Sequence, residues 1–392
     1  MASEALPKEC PDCAADLRGA DSATPSPTCE GLLRRIAEAA ERTEKRGRPS
    51  GDLLRDLVAH GCLRLTLARK YGGSETALPE LLRTLREIAV ADASVAWNVM
   101  VWAQSQITLA RLPLPAFEKV VRSGPDVVVS ATSAGDGSVT DAGDGPRLSG
   151  SWRFTSGVHH AEWVLLHCRT ALGDAEEAHG VLVRKPMLRV DSSWDVLGLR
   201  GTGSETVRAR EIPVAREDLY PLQGHLSAAA TPHSLLPVRP AFALHTAAVA
   251  LGTAQAALAC LAPPPQQTGR QQEDGRALLR EWQLGDRRAR LDAALAGLEH
   301  QGRGAWSLAA SGGALTAGDA ASVAAAAVHG VGTAVEIALW CFQNAGSAAL
   351  FNGTPVQRRL RDLLAIAQHA NVRPSQLGDF GRQLMAPQGG GG

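Results

Sequence analysis

Gly150-Ser151-Trp152-Arg153-Phe154-Thr155-Ser156-Gly157 is the stretch that decides how this chain folds. Trp152 and Phe154 alternate with Arg153 and Thr155, so a strand through them puts both aromatics on one face. Thr155-Ser156-Gly157 then ends the strand in a turn of small side chains and free amides. An aromatic pair on a strand is, by itself, sheet core. The neighbouring sequence supplies the setting. Residues 127–130, 148–155, 163–168, 180–183 and 206–212 are short runs rich in β-branched and aromatic residues, with Gly or Pro between them. Residues 133–145 are mostly Gly, Asp and Ser, a loop and hairpin composition. Together they predict a small antiparallel β domain over residues 125–222.

Both flanks have a helical period. In residues 29–124, Leu32, Leu33, Ile36, Ala39 and Ala40 recur at helical spacing, and Leu53, Leu54, Leu57 and Val58 continue it. Tyr71-Gly72-Gly73-Ser74 is a turn; helices follow over 78–90 and 95–109, the second capped by Asp92 or Ser94. Residues 223–385 hold four helices, at 247–261, 278–301, 320–344 and 355–371, which predicts a bundle. Helices apolar on nearly all sides are buried on several sides, including against other subunits. The run 247–263 is broken by Thr253 and Gln255 and is too short for a bilayer, so it reads as a buried helix. Residues 1–28, rich in Pro, Ser, Ala and Asp, and the Gly-rich 386–392 are expected to be disordered tails.

Forty basic and forty acidic side chains cancel over 392 residues. No domain-wide field exists to hold nucleic acid or an anionic membrane, and a small-molecule substrate fits better. The start of the chain lacks a charged-then-apolar signal pattern, and the seven cysteines are scattered, so the cytoplasm is the expected location. Cys10 and Cys13 form a CxxC with no second ligand pair nearby, and no metal site is expected.

A helical segment, a small β domain and a four-helix bundle, in that order, resemble an acyl-CoA dehydrogenase, a fold that is mostly α with a central β domain. Four local sequences carry the resemblance: Tyr71-Gly72-Gly73; Ala91-Asp92-Ala93-Ser94-Val95-Ala96-Trp97; residues 150–157; and Trp194-Asp195-Val196-Leu197-Gly198-Leu199-Arg200-Gly201-Thr202-Gly203-Ser204. The order of elements extends it over roughly residues 30–385. The resemblance implies a flavin held by Trp152, Phe154, Thr155 and Ser156, with Thr132 on a neighbouring strand and Gly346-Ser347 in the turn between the last two helices. A flavin ring needs an apolar face and a polar edge, and residues 152–157 offer both. Arg358 and Arg361 would serve the flavin phosphates or a neighbouring helix. Trp97, Arg200 and Ser204 would line the substrate pocket. A homotetramer, or else a homodimer, is implied, with the cofactor across a subunit interface.

One departure matters most. Acyl-CoA dehydrogenases remove an α-proton with a glutamate, and that step needs a positioned base. Here the Arg361-Asp362 pair is followed by no carboxylate before Asp379, and residues 235–250, the family's other location for it, contain no Asp or Glu. His369 follows the pair instead. This pattern, with His159-His160 after Gly157, is similar to the oxygenase components of two-component flavin-dependent monooxygenases, such as 4-hydroxyphenylacetate hydroxylase, the steroid-ring hydroxylases and dibenzothiophene monooxygenase. The likeness implies reduced flavin, FADH2 or FMNH2 with FAD favoured, delivered by a separate NAD(P)H:flavin reductase. Its reaction with O2 through a C4a-hydroperoxyflavin would hydroxylate a small, aromatic or otherwise electron-rich molecule. Ser156 is expected as a donor to flavin N5 and His369 as the group that manages the peroxide proton. His159 and His160 are expected in the substrate pocket. Asp362, Ile366 and His369 would share a helix face, which allows an Asp–His contact without catalysis. Three other readings stay open: a dehydrogenase with a displaced base, an N-oxygenating enzyme resembling nitrososynthases, and a non-catalytic binding member of the fold.

Overall fold

The apolar periodicity of the first segment becomes five helices: α1 (Glu30–Arg46), α2 (Gly51–Ala59), α3 (Leu78–Ala91), α4 (Ala93–Leu109) and α5 (Leu114–Val121). The computed structural model describes residues 28–141, 143–170, 177–222, 225–261 and 275–385, with the backbone alone at 275–278. Cys10, Cys13, nearly all of the first expected tail and the whole of the second lie outside the described residues. Asp92 is the cap of α4: its carboxylate accepts the Val95 N–H at 2.8 Å. Almost every residue of α4 is buried, because the helix runs between the β domain and the C-terminal bundle.

The strands are β1 (Val129–Thr132), β2 (Gly135–Asp141), β3 (Pro146–Thr155), β4 (Trp163–Thr170), β5 (Glu177–Arg184), β6 (Arg189–Asp191), β7 (Glu205–Pro213) and β8 (Leu219–Pro221). They form one sheet in the order β6-β7-β3-β2-β4-β5-β8, with β1 parallel to β4. Val139, Leu148, Trp152, Val164, Leu166, Val181 and Val207 make its core.

The two aromatics of β3 do not share a face. The β3–β7 pairing shifts register between Trp152 and Thr155, and Phe154 takes φ 60°. This bulge reverses the side-chain alternation. Trp152 is fully buried in the sheet core, its indole N–H donating to the His167 carbonyl at 2.7 Å, whereas Phe154 is 53% exposed. The bulge therefore corrects Trp152 from a flavin contact to a core residue and leaves Phe154 as the outward-facing aromatic.

The last segment contains α6 (Pro232–Leu235), α7 (Val238–Ala259), α8 (Gly275–Ala310), α9 (Ala317–Asn344), α10 (Pro355–Ile366) and α11 (Leu377–Met385). α7 packs against α9, α3, α10 and α4 at the centre of the main hydrophobic core. It begins earlier than its apolar run predicts, and with α9 it is long and apolar enough to cross a membrane by length and composition. α7 is mostly buried within the molecule, as expected of a core helix. α10 stops at Ile366, short of the predicted end at 371, and His369 caps a 3-10 turn over Ala370–Val372. Asp362 and His369 therefore do not share a helix face.

Candidate functional site

Three predicted residues from three distant stretches, Trp97, Ser156 and Ser204, meet between α4 and the β domain. Trp97, one turn into α4, donates its indole N–H to Ser156 Oγ at 3.1 Å. Ser156 Oγ lies 2.7 Å from Ser204 Oγ, and Ser204 Oγ lies 2.6 Å from Thr202 Oγ1. The turn that carries Ser156 is fixed from behind: Ser130 Oγ donates to the Ser156 carbonyl at 2.9 Å, and the Gly157 N–H donates to the Thr202 carbonyl at 2.9 Å. Gly157 is required here. Its φ is +70°, and a Cβ would stand 2.5 Å from the Trp102 indole nitrogen.

His369 joins the same group from the bundle. Its ring meets Trp97 edge-on at 5.6 Å and stacks on Phe242 of α7 at 4.9 Å. The Asn371 N–H donates to its Nδ1 at 3.3 Å, so the neutral ring carries its hydrogen on Nε2 and offers that N–H as a donor. Burial, with a smaller contribution from Arg373, pulls the imidazole pKa down to about 4.

The 194–204 loop, which supplies Thr202 and Ser204, is clasped by α10. The Leu199 N–H donates to Asp362 at 2.6 Å, and Arg361 donates to the Leu197 carbonyl at 2.9 Å while pairing with Glu44 at 2.6 Å. Gly198 permits the approach: a Cβ there would lie 2.0 Å from the Arg361 carbonyl oxygen. Arg361 is thus committed to holding this loop. Arg358 is buried beside Asp92 and Asp362. The Arg361 guanidinium is taken up by Glu44, the Leu197 carbonyl and Gln357, which makes it a framework residue of this loop. Burial pushes the Asp362 carboxyl up to about 7, the Asp92 charge adds to this, and the Leu199 N–H and Arg358 oppose it. Burial likewise raises Asp92 to about 6.

The remaining expected residues are placed as follows. Thr132 donates to the Arg153 carbonyl at 2.8 Å and so braces the bulge next to Phe154. Thr155 is buried with its hydroxyl unpartnered. His159 lies between Arg48 and Glu205, and His160 bonds the Pro49 carbonyl; both form a layer behind Gly203 and Gly157 rather than joining the Trp97–His369 group. Arg200 points to solvent and pairs weakly with Asp195. Gly346 and Ser347 lie on the surface beside the exposed Leu350 and Phe351. Sequence reasoning missed Phe242 and Thr202. Phe242 lies in the stretch searched only for a carboxylate, and Thr202 lies in a loop read for its glycines.

The arrangement offers an exposed aromatic face at Phe154, a hydroxyl edge at Thr155 and Ser156, an N–H donor at His369 and buried apolar walls. Phe154 also meets Trp194 edge-on at 6.1 Å. Asn98, fully buried on α4, has both amide atoms unpartnered. At the site itself, the buried Thr155 hydroxyl beside Ser156 is likewise unpartnered, which suits a ligand with a polar edge.

Comparison with known proteins agrees. Residues 30–113 match the acyl-CoA dehydrogenase N-terminal domain and residues 244–374 its C-terminal domain. The chain is 26% identical over 376 residues to the flavin-dependent monooxygenase oxygenase subunit HsaA of Rhodococcus jostii (strain RHA1), covering 90% of this chain and 97% of that one. It is 29% identical over 181 residues to the oxygenase component of an FADH2-dependent resorcinol hydroxylase from Rhizobium sp. (strain MTP-10005), covering 45% and 44%. The crystal structure of 3-HSA hydroxylase from Rhodococcus sp. RHA1 superimposes with a TM-score of 0.81 at 25% identity, over 91% of this chain and 95% of that one.

Proposed function

The chain belongs to the acyl-CoA dehydrogenase superfamily, and from that premise we propose that it is the oxygenase component of a two-component flavin-dependent monooxygenase. The observation that carries this is the meeting of Trp97, Ser156 and His369 at a site where the superfamily's glutamate has no counterpart in either of its usual stretches. The names of its relatives, oxygenase subunits and components, support a flavin delivered in reduced form by a separate reductase, with FAD favoured over FMN. When bound, that flavin would supply the transfer of one atom of O2 to a small organic, aromatic substrate.

This chain's residues then have distinct tasks. Phe154 gives the ring an apolar face, and Thr155 and Ser156 meet its polar edge. His369, which burial keeps neutral down to about pH 4, would offer its Nε2–H as a hydrogen-bond donor to the oxygen chemistry that the flavin supplies. Phe242 and Trp97 hold the imidazole and exclude water. Trp97 and Ser204 line the substrate side, with His159 and His160 supporting the wall behind Gly203 and Gly157. The test compares two electron sources. Loaded with oxidised FAD under anaerobic conditions, the protein should not bleach with any acyl-CoA. With NAD(P)H, a flavin reductase and O2, it should suppress release of free peroxide in the presence of its substrate. Bleaching by an acyl thioester would replace this reading with that of a dehydrogenase using a displaced base.

A further inference from the structure

The hydroxyls of Thr202, Ser204 and Ser156 form a buried chain whose hydrogen order follows from counting, since each has one hydrogen and two lone pairs. Thr202 Oγ1 gives its hydrogen to the Leu199 carbonyl at 2.8 Å. The 2.6 Å contact between Thr202 and Ser204 then requires the hydrogen of Ser204, because two hydroxyl oxygens that close repel without one. The 2.7 Å contact between Ser204 and Ser156 in turn requires the hydrogen of Ser156. Trp97 Nε1–H is a donor only, so it fills one lone pair of Ser156 and cannot take its hydrogen. One lone pair of Ser156 is left. Thr202, Ser204 and Ser156 are 0%, 4% and 5% exposed, so water does not scramble the order. The Leu199 carbonyl that sets the direction is itself held, accepting also from the Trp194 indole and the Thr202 N–H, both at 3.1 Å, while the Leu199 N–H is tied to Asp362.

We propose that Thr202 and Ser204 are positioning residues that draw the Ser156 hydrogen away from the site, so that Ser156 Oγ faces the flavin as a hydrogen-bond acceptor. This rests on the flavin reading above, and it reverses the donor role that sequence alone suggests for Ser156. Reduced flavin carries a hydrogen on N5, whereas oxidised flavin has a bare lone pair there. An acceptor at Ser156 therefore selects the reduced form, and the selection is built into two residues that need not touch the flavin.

Anaerobic equilibrium dialysis of the full chain against FADH2 and FAD tests this without any turnover. The wild type should bind FADH2 about tenfold more tightly than FAD, the worth of one hydrogen bond. Thr202→Val removes the first hydroxyl, frees the Ser204 hydrogen for Ser156 and releases the Ser156 hydrogen toward the flavin. The preference should then fall by about tenfold, mainly through tighter FAD binding. Ser204→Ala carries the same prediction should Thr202→Val fail to fold, and Thr202→Ser should retain the wild-type preference. An unchanged ratio in folded Thr202→Val or Ser204→Ala overturns the relay while the flavin reading stands. A wild type that binds neither form overturns the flavin reading and the relay with it.

Discussion

His369 shows how much one side chain's surroundings decide. Stacked on Phe242 and edge-on to Trp97, it is held neutral by burial down to about pH 4. If its role is that of an N–H donor, the step it serves should show no break near 6.5, the ordinary histidine value. His369→Ala should shorten the hydroperoxide lifetime or slow its formation by about a hundredfold, with the fold intact; stopped-flow traces across pH 5–8 check both statements. Asp362 gives a prediction of opposite sign. Its folded pKa is raised to about 7 from 3.8, so the folded state binds the extra proton. The stability this contributes is full below about 3.8 and is lost as pH rises through about 7. Asp362→Asn keeps an acceptor for the Leu199 N–H but no longer titrates. Melting temperatures at pH 5 and pH 8 should show the variant gaining on the wild type as pH rises, by a few degrees.

At the scale of elements, the 194–204 loop and α10 behave as one part. Gly198 is what lets them meet, since an added Cβ would collide with the Arg361 carbonyl oxygen at 2.0 Å. Gly198→Ala should cost about 1–3 kcal/mol by forcing the loop away, and it should weaken flavin binding because Thr202 and Ser204 move with the loop. Gly285→Ala, on α8 with open space around it, should leave flavin binding unchanged and raise stability by about 0.5–1 kcal/mol, since alanine suits a helix interior better than glycine. Thermal denaturation and flavin titration separate the two. The order of elements was legible in the sequence because amphipathic period and strand composition are local properties. Trp97, Ser156, Ser204 and His369, which the structure brings together, were legible as candidates through short motifs. The bulge at Phe154 was not, because a phenylalanine at φ 60° follows from the register of β3 against β7 and not from any local preference. The same holds for Arg361, whose partner Glu44 is far away in the chain, and for Thr202, whose role exists only once Leu199 is pinned by Asp362.

For the whole molecule, large apolar side chains remain exposed in separate places: Leu279 and Trp282 on α8, Leu350 and Phe351 after α9, and Leu384 and Met385 on α11. We propose that these side chains meet another copy of the chain, in keeping with the homotetramer or homodimer that the family resemblance implies. Gly346 and Ser347 lie on the surface beside Leu350 and Phe351, and we propose that their flavin contact is made across an interface with a second copy. Phe351→Asp should therefore lower the mass seen by light scattering and the flavin affinity together; loss of one without the other would separate assembly from cofactor binding. The most direct test of the central claim is rapid mixing of the anaerobic protein–FADH2 complex with O2, followed by absorbance. The account predicts a transient hydroperoxyflavin spectrum that precedes oxidised flavin. A single-step return to oxidised flavin, at the rate of FADH2 free in solution, would contradict it.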